Sequence, residues 1–142
     1  MKLVVDVNVL VSGSFWSGNP AKLVDALLDG SATLCASRLV LTEFEEVIQR
    51  KKFLTRLEQK GQSTGEIISR FRAVALIAEG SPIPVPARLR DPDDLHVLIC
   101  AVGAEVDAIV TGDDDLLSLE TFEGIPILTV RQALEKLGIP AL

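Results

Sequence analysis

Short apolar runs alternate with helically spaced apolar positions along most of the chain. Mostly apolar runs are typical of buried strands, and they predict strands at residues 3–5, 32–36, 107–111 and 125–128. Apolar residues that recur every three or four positions predict helices at residues 20–28, 39–48 (continuing towards the basic residues 50–52), 67–77, 95–104 and 131–137. Residues 81–86 contain three prolines and are expected to form an extended connection or an edge strand.

Polar residues mark the starts of several predicted helices. Ser37 is expected to cap the second helix, and Ser63 with Glu66 matches a capping box ahead of the third. Asp91 is expected to cap the fourth, with Pro92 at its first helical position. Strands that alternate with helices predict an α/β fold over residues 1–142. We expect a single domain with three α/β/α layers and a central, mainly parallel sheet.

The composition excludes several classes of protein. A chain of 142 residues with 48% hydrophobic and 24% charged residues is expected to fold, which excludes a disordered protein. Its two cysteines lie in apolar stretches, which predicts buried thiols rather than disulfides. One histidine excludes two-histidine catalysis within one chain. An acid at position 6 comes too early for a signal peptide, and no apolar run is long enough to span a membrane, so we expect a cytoplasmic protein.

Acidic residues are concentrated in one part of the chain. The formal charge is -6, from twenty acidic and fourteen basic residues. Ten of the acids lie between Asp91 and Glu123, a stretch without lysine or arginine. The rest of the chain has fourteen basic and ten acidic residues, a balance of +4. The overall charge therefore does not exclude a nucleic-acid partner, and the acidic stretch needs compensation from elsewhere.

Three groups of acids are expected at one edge of the sheet. Asp6 closes the first strand, residues 113–115 follow the strand at 107–111, and Asp91, Asp93 and Asp94 begin the preceding helix. Such carboxylates suit a hard divalent cation, Mg²⁺ or Mn²⁺, which can activate water for attack on a phosphate. Taken singly, an acid in a first helical turn suits the helix dipole, and residues 113–115 suit a solvated turn. Asp6 is different, because a carboxylate directly after a buried strand is costly without a partner.

Four short motifs each contain one of these acids or a further glutamate. They read DVNVLVS at 6–12, TEFEEVIQRKKF at 42–53, DPDDLHVL at 91–98 and VTGDDDLL at 110–117. In this order they resemble the motifs of PIN-domain nucleases, especially VapC-like toxins of bacterial and archaeal toxin–antitoxin pairs, over nearly the whole chain. Only this resemblance selects Glu43 over Glu45 and Glu46, which are expected to face solvent. One departure is Val7, where many members have a hydroxyl residue that would support the metal site.

The resemblance implies a Mg²⁺- or Mn²⁺-dependent endoribonuclease that cleaves single-stranded RNA as the toxin of a toxin–antitoxin pair. It implies an RNA substrate, an antitoxin protein and a homodimer. The implied catalytic acids and metal ligands are Asp6, Glu43, Asp94 and Asp113, with Asp91 and Asp115 as accessory acids and Asn8 and Thr111 as supporting residues. The candidates for holding RNA are Arg38, Arg50, Lys51 and Lys52.

Two alternatives compete with this reading. A catalytically silent PIN-like module could bind RNA or a protein, although the four intact acids argue against it. A phosphatase of the haloacid-dehalogenase type also has an aspartate after its first strand, but the second acid of each of its motifs is absent here.

His96 lies two residues from Asp94, on another helix face, and is interpreted as structural or peripheral. Phe15 and Trp16 are placed in a loop, where they either stack a nucleobase or pack beneath the loop.

Overall fold

A mainly parallel sheet forms the centre of the fold in the computed structural model, which describes residues 1–80, 89 and 91–142. Its strands are β1 (Lys2–Val5), β2 (Thr33–Ala36), β3 (Leu76–Ile77), β4 (Ala108–Val110), β5 (Thr121–Phe122) and β6 (Ile125–Leu128). They lie in the order β3-β2-β1-β4-β6-β5, and each neighbouring pair is parallel except β5 with β6. The connection predicted at residues 81–86 lies outside the described residues.

Helices cover both faces of this sheet. They are α1 (Val7–Phe15), α2 (Asn19–Leu28), α3 (Arg38–Ile48), α4 (Lys51–Lys60), α5 (Thr64–Val74), α6 (Pro92–Ala104), α7 (Asp114–Leu117) and α8 (Val130–Leu137). Ser37 caps α3 through its side chain, and the Ser63 side chain accepts the N–H of Glu66 at the start of α5. The helix after Asp91 begins at Pro92, as predicted.

The alternation of side chains along the strands divides the core into two layers. Leu3 and Val5 of β1 lie in the core layer that includes α1, α2, α3 and α5, whereas Val4 lies in the layer that includes α6. The central strand β4 follows the same rule, because Ile109 faces α6 and its two strand neighbours face the opposite layer. Both faces of the sheet are therefore buried, which confirms the predicted three-layer α/β/α fold.

The prediction of a loop was wrong at Phe15, because residues 7–15 form α1, whereas Trp16 follows the end of this helix. Asp6 caps this helix by accepting the N–H of Asn8, and five of its apolar side chains are buried. Glycine is required at position 13, where a Cβ atom would lie 2.4 Å from the carbonyl oxygen of Pro20. This close approach packs α1 against α2, and it outweighs the low helix propensity of glycine. Phe15 is fully buried at the end of α1.

Two helices are shorter in the structure than predicted. The second ends at Ile48, and the basic residues that follow belong to α4, which begins after Arg50 in an extended conformation. The third ends at Val74, and Leu76–Ile77 forms the edge strand β3 beside β2. In α4, Phe53 and Leu57 are buried at a spacing of four residues. That spacing is the signal from which the separate helix could have been predicted.

Candidate metal centre

Asp6 links the first strand to its neighbour at the carboxyl edge of the sheet. Its backbone N–H donates to the carbonyl oxygen of Val110 at 2.9 Å, which places the residue beside the end of β4. Its carboxylate accepts the Asn8 N–H through Oδ1 at 2.9 Å and the Thr111 hydroxyl through Oδ2 at 2.8 Å. The same side chain therefore begins α1 and is oriented by the adjacent strand.

Thr111 holds two of the predicted acids in place. The residue is fully buried directly after β4, and its Oγ1 donates to Asp6 and accepts the N–H of Asp113 at 3.0 Å. Asp113 in turn accepts the N–H groups of Asp115 and Leu116 through Oδ1, at 2.8 and 3.1 Å, and so caps the short helix α7. Its carboxylate has a defined direction before any ligand binds.

Asp94 is the candidate ligand with the least favourable surroundings for a negative charge. It lies in the first turn of α6, and only 6% of its surface is exposed. Its Oδ2 atom is buried and has no hydrogen-bond partner among the described residues. Burial, followed by the charges of Asp113, Asp91, Asp6 and Asp115, raises its pKa to about 6. A buried carboxylate in this state is destabilising unless a positive charge reaches it.

Three carboxylates come close enough to share a cation. One oxygen each of Asp94, Asp113 and Asp115 lies within 4.8 Å of the others, and these residues differ in burial from buried to exposed. Oxygen ligands of Mg²⁺ and related ions lie about 2.0–2.6 Å from the metal, so this spacing fits a shared ion. The unpartnered oxygen of Asp94 and the uncompensated charges both fit a hard divalent cation.

This cluster contains three of the six predicted acids, and Asp6, Asp91 and Glu43 lie outside it. Asp91 is exposed and precedes α6, where its carbonyl oxygen accepts the Asp94 N–H at 3.1 Å. Glu43 lies half-buried on α3 and lines a neighbouring groove together with Arg50 and His96, outside the group of three close oxygens. The roles that the sequence predicts for Glu43 and Asp91 stay predictions.

A second groove begins at Asp6 and Asp113 and runs along α1. Asn8 and Ser12 line it together with Pro20 and neighbouring residues. Asn8 and Ser12 are four residues apart, so they share one face of the helix. Ser12 was not predicted as a site residue, because no helix was predicted over residues 7–15. Apolar positions 7, 10, 11 and 15 carried the helical signal that would have identified it.

The fold and the acidic cluster together define an α/β/α domain with a candidate metal site at the carboxyl edge of its sheet. Residues 2–115 match the family described as PIN domain, and the chain belongs to that family. The predicted resemblance is thereby confirmed at the level of the family, whose members are generally metal-dependent nucleases.

The fold has a counterpart among solved structures. It is similar to a chain in the crystal structure of VapBC2 from Rickettsia felis bound to a DNA fragment from their promoter. That similarity has a TM-score of 0.56 and 15% sequence identity, and it covers 91% of this chain and 98% of the other. Among curated proteins, none matches the chain significantly. Across the part of the chain that the structure describes, no helix combines the length and apolar character needed to cross a membrane.

Proposed function

We propose that this protein is a Mg²⁺- or Mn²⁺-dependent endoribonuclease that cleaves single-stranded RNA and acts as the toxin of a toxin–antitoxin pair. Its membership of the PIN-domain family supports the reaction class. The observation that carries the proposal is the buried Asp94 carboxyl group, whose unpartnered oxygen lies among other carboxylates. The fold shared with the VapBC2 complex supports an antitoxin protein as partner. We further propose a single domain that acts in the cytoplasm as a homodimer.

The proposed ligands occupy different elements, so the fold itself assembles the site. Asp6, Asp94 and Asp113 hold the metal together with Glu43, while Asp91 and Asp115 assist and Asn8 and Thr111 support. A bound divalent cation supplies positive charge to the scissile phosphate and lowers the pKa of a coordinated water. The protein's own contribution is orientation, because Thr111 and the first amides of α7 fix two carboxylates in advance.

Two grooves are proposed to receive the substrate strand. Asn8, Ser12, Asp6 and Asp113 line one of them, and Glu43 and Arg50 line the other. Arg50 precedes Lys51 and Lys52 at the start of α4, and all three are exposed. Together with the exposed Arg38 on α3, these cations are proposed to neutralise backbone phosphates, a contribution that weakens as salt concentration rises.

We expect RNA cleavage to require both the metal and Asp6. Labelled single-stranded RNA should be cut by the wild-type protein with Mn²⁺ or Mg²⁺ and left intact with EDTA, and single-stranded DNA of the same sequence should be cut more slowly. The Asp6→Asn variant keeps an oxygen that can cap α1 but loses the negative charge, so cleavage should fall at least about 100-fold. Gel analysis of time courses measures both effects.

Two results would contradict this expectation in different ways. Cleavage that persists in EDTA or in Asp6→Asn would exclude the metal–carboxylate mechanism. Absence of cleavage by the wild-type protein, with no stabilisation by Mn²⁺, would instead favour a catalytically silent module that binds RNA or protein.

We also expect metal binding to depend on pH through Asp94. Its pKa of about 6 lies above the ordinary 3.8, so its contribution to stability is present below about pH 4 and is lost as the pH rises through 6. A cation that binds only the folded, ionised site reverses this loss, and at a concentration of 100 times Kd it adds about 2.7 kcal/mol. Thermal melting should therefore show a clear rise with Mn²⁺ at about pH 7.5 and a much smaller one at about pH 5. An equal rise at both values would contradict the assignment.

A further inference from the structure

A row of cations lies along one face of α4. Lys52, Arg56 and Lys60 are spaced four residues apart, so their side chains project from the same side of the helix. Glu58, two residues from both Arg56 and Lys60, projects from another side. None of these three cations takes part in an ion pair with a described acid, whereas Arg38, Arg72 and Arg131 each do. We call this row, Lys52, Arg56 and Lys60, the basic face of α4.

The basic face is fixed to the end of α1. The Arg56 Nε and Lys60 Nζ atoms donate to the carbonyl oxygen of Phe15 at 2.6 and 3.1 Å. This carbonyl belongs to the last turn of α1, where the helix dipole favours positive charge. The contacts hold the two side chains in place beside Trp16, the next residue along the chain.

Trp16 stays exposed in spite of its aromatic neighbours. Phe15 and Phe53 are buried and supply the packing at this point, with their ring centroids 4.8 Å apart. The Trp16 ring contacts Phe53 edge-on at 5.8 Å and carries the Arg56 guanidinium 5.3 Å from its centroid. Even so, 46% of its surface is accessible to solvent. A large aromatic side chain that the core does not need, held among cations, suits a ligand with both an aromatic ring and negative charge.

We propose that Trp16 and the basic face of α4 form a binding site for single-stranded RNA, in which a nucleobase stacks on Trp16 and the neighbouring phosphates contact Lys52, Arg56 and Lys60. Stacking on aromatic side chains combined with a positively charged track is how proteins bind single strands without reading their sequence. The α1 helix separates Trp16 from Asp6 by about 15 Å, at about 1.5 Å per residue. The site therefore binds nucleotides that flank the cleaved phosphate. This inference rests on RNA being the substrate, as proposed above.

Trp16 is the one tryptophan in the sequence, so its fluorescence reports on this site alone. Titration of the wild-type protein in EDTA with an unstructured RNA oligonucleotide should quench that fluorescence, and labelled RNA should bind by anisotropy without being cut. Trp16→Ala should weaken binding about 5- to 150-fold, the range expected for one stacked base. Lys52→Gln should weaken RNA binding. It should also lower by about one the number of ions released on binding, which is measured from the salt dependence of the affinity. Lys136→Gln, a cation on α8, is the matched control and should change neither.

The outcomes separate this site from the proposed activity. Binding with quenching but no cleavage in Mn²⁺ would support the site and contradict the nuclease function. Cleavage in Mn²⁺, with the RNA affinity of Trp16→Ala unchanged, would support the nuclease function and contradict the site. Quenching by polyglutamate and not by RNA would overturn the proposal in favour of an acidic protein partner. Circular dichroism of Trp16→Ala and Lys52→Gln must match the wild type, and Trp16→Phe should recover part of the affinity if stacking is the cause.

Discussion

Replacing Asp94 with asparagine is expected to abolish metal binding and RNA cleavage while making the metal-free protein more stable. The carboxyl group is buried, and its pKa is raised to about 6 first by burial and then by four neighbouring aspartates. At neutral pH the charged form costs up to about 3 kcal/mol, a cost that a neutral amide of the same shape avoids. The same substitution removes the negative charge of one of three carboxylates whose oxygens lie within 4.8 Å of one another.

The two effects of Asp94→Asn have opposite signs, which makes the experiment informative. In EDTA the melting temperature should rise by about 5 °C or more at neutral pH, and this rise should shrink towards pH 4, where the wild-type carboxyl is neutral. With Mn²⁺ the wild-type protein should gain stability and the variant should not. Cleavage should fall to background in gel assays.

Asp114→Asn provides the matched control for Asp94→Asn. Asp114 is exposed in the first turn of α7, next to Asp113, and its replacement removes the same formal charge from the same acidic region. We expect it to leave cleavage and Mn²⁺ stabilisation nearly unchanged. If both variants lose activity together, net charge rather than the position of Asp94 governs the site. If Asp94→Asn destabilises the metal-free protein, the Asp94 carboxyl group is stabilised by its surroundings. That result would contradict the claim that its ionised form is unfavourable without a metal.

Replacing Thr111 with valine is expected to cost both stability and metal affinity, although no acid is changed. The side chains have nearly the same shape, so the core stays filled, but the hydrogen bonds to Asp6 and from Asp113 are lost. Leaving buried polar groups without partners costs about 1–3 kcal/mol. Loss of a residue that orients metal ligands typically lowers metal affinity or activity about 10- to 100-fold.

Thr111→Ser separates hydrogen bonding from packing. Serine keeps the hydroxyl but removes a methyl group from a fully buried position. If orientation of the carboxylates matters, Thr111→Ser should retain most of the Mn²⁺ affinity, measured by titration calorimetry, and Thr111→Val should not. The reverse order would show that Thr111 acts through packing alone.

The sequence was sufficient to predict four of the six described strands and the edge on which the acids meet. Apolar runs fixed β1, β2, β4 and β6 to within two residues, and parallel strands necessarily bring Asp6 and Asp113 to one edge. The three-layer fold followed from the alternation of strands with helices, which tertiary packing then confirmed.

What the sequence could not supply depends on contacts between distant segments. The three aspartates at the start of α6 have equivalent sequence surroundings, and only the packing of this helix against the sheet shows that Asp94 is buried. The exposure of Trp16 likewise depends on α4, more than thirty residues further along the chain. The position of Glu43 came from family resemblance, because glutamates on a helix surface carry no local signal that distinguishes a ligand.

Asp6 supports both the fold and the candidate metal site, so the loss of Asp6 and the loss of Asp94 should differ in their effect on stability. Because its carboxylate both starts α1 and accepts the Thr111 hydroxyl, a change to an apolar residue there would weaken the fold as well as the site. Asp94 is the opposite case, since its replacement is expected to make the metal-free protein more stable. Under random mutation without selection for cleavage, descendants of this protein should therefore lose Asp94 early and keep Asp6 longest. A first acid that persists is thus weaker evidence of an active relative than a persisting Asp94.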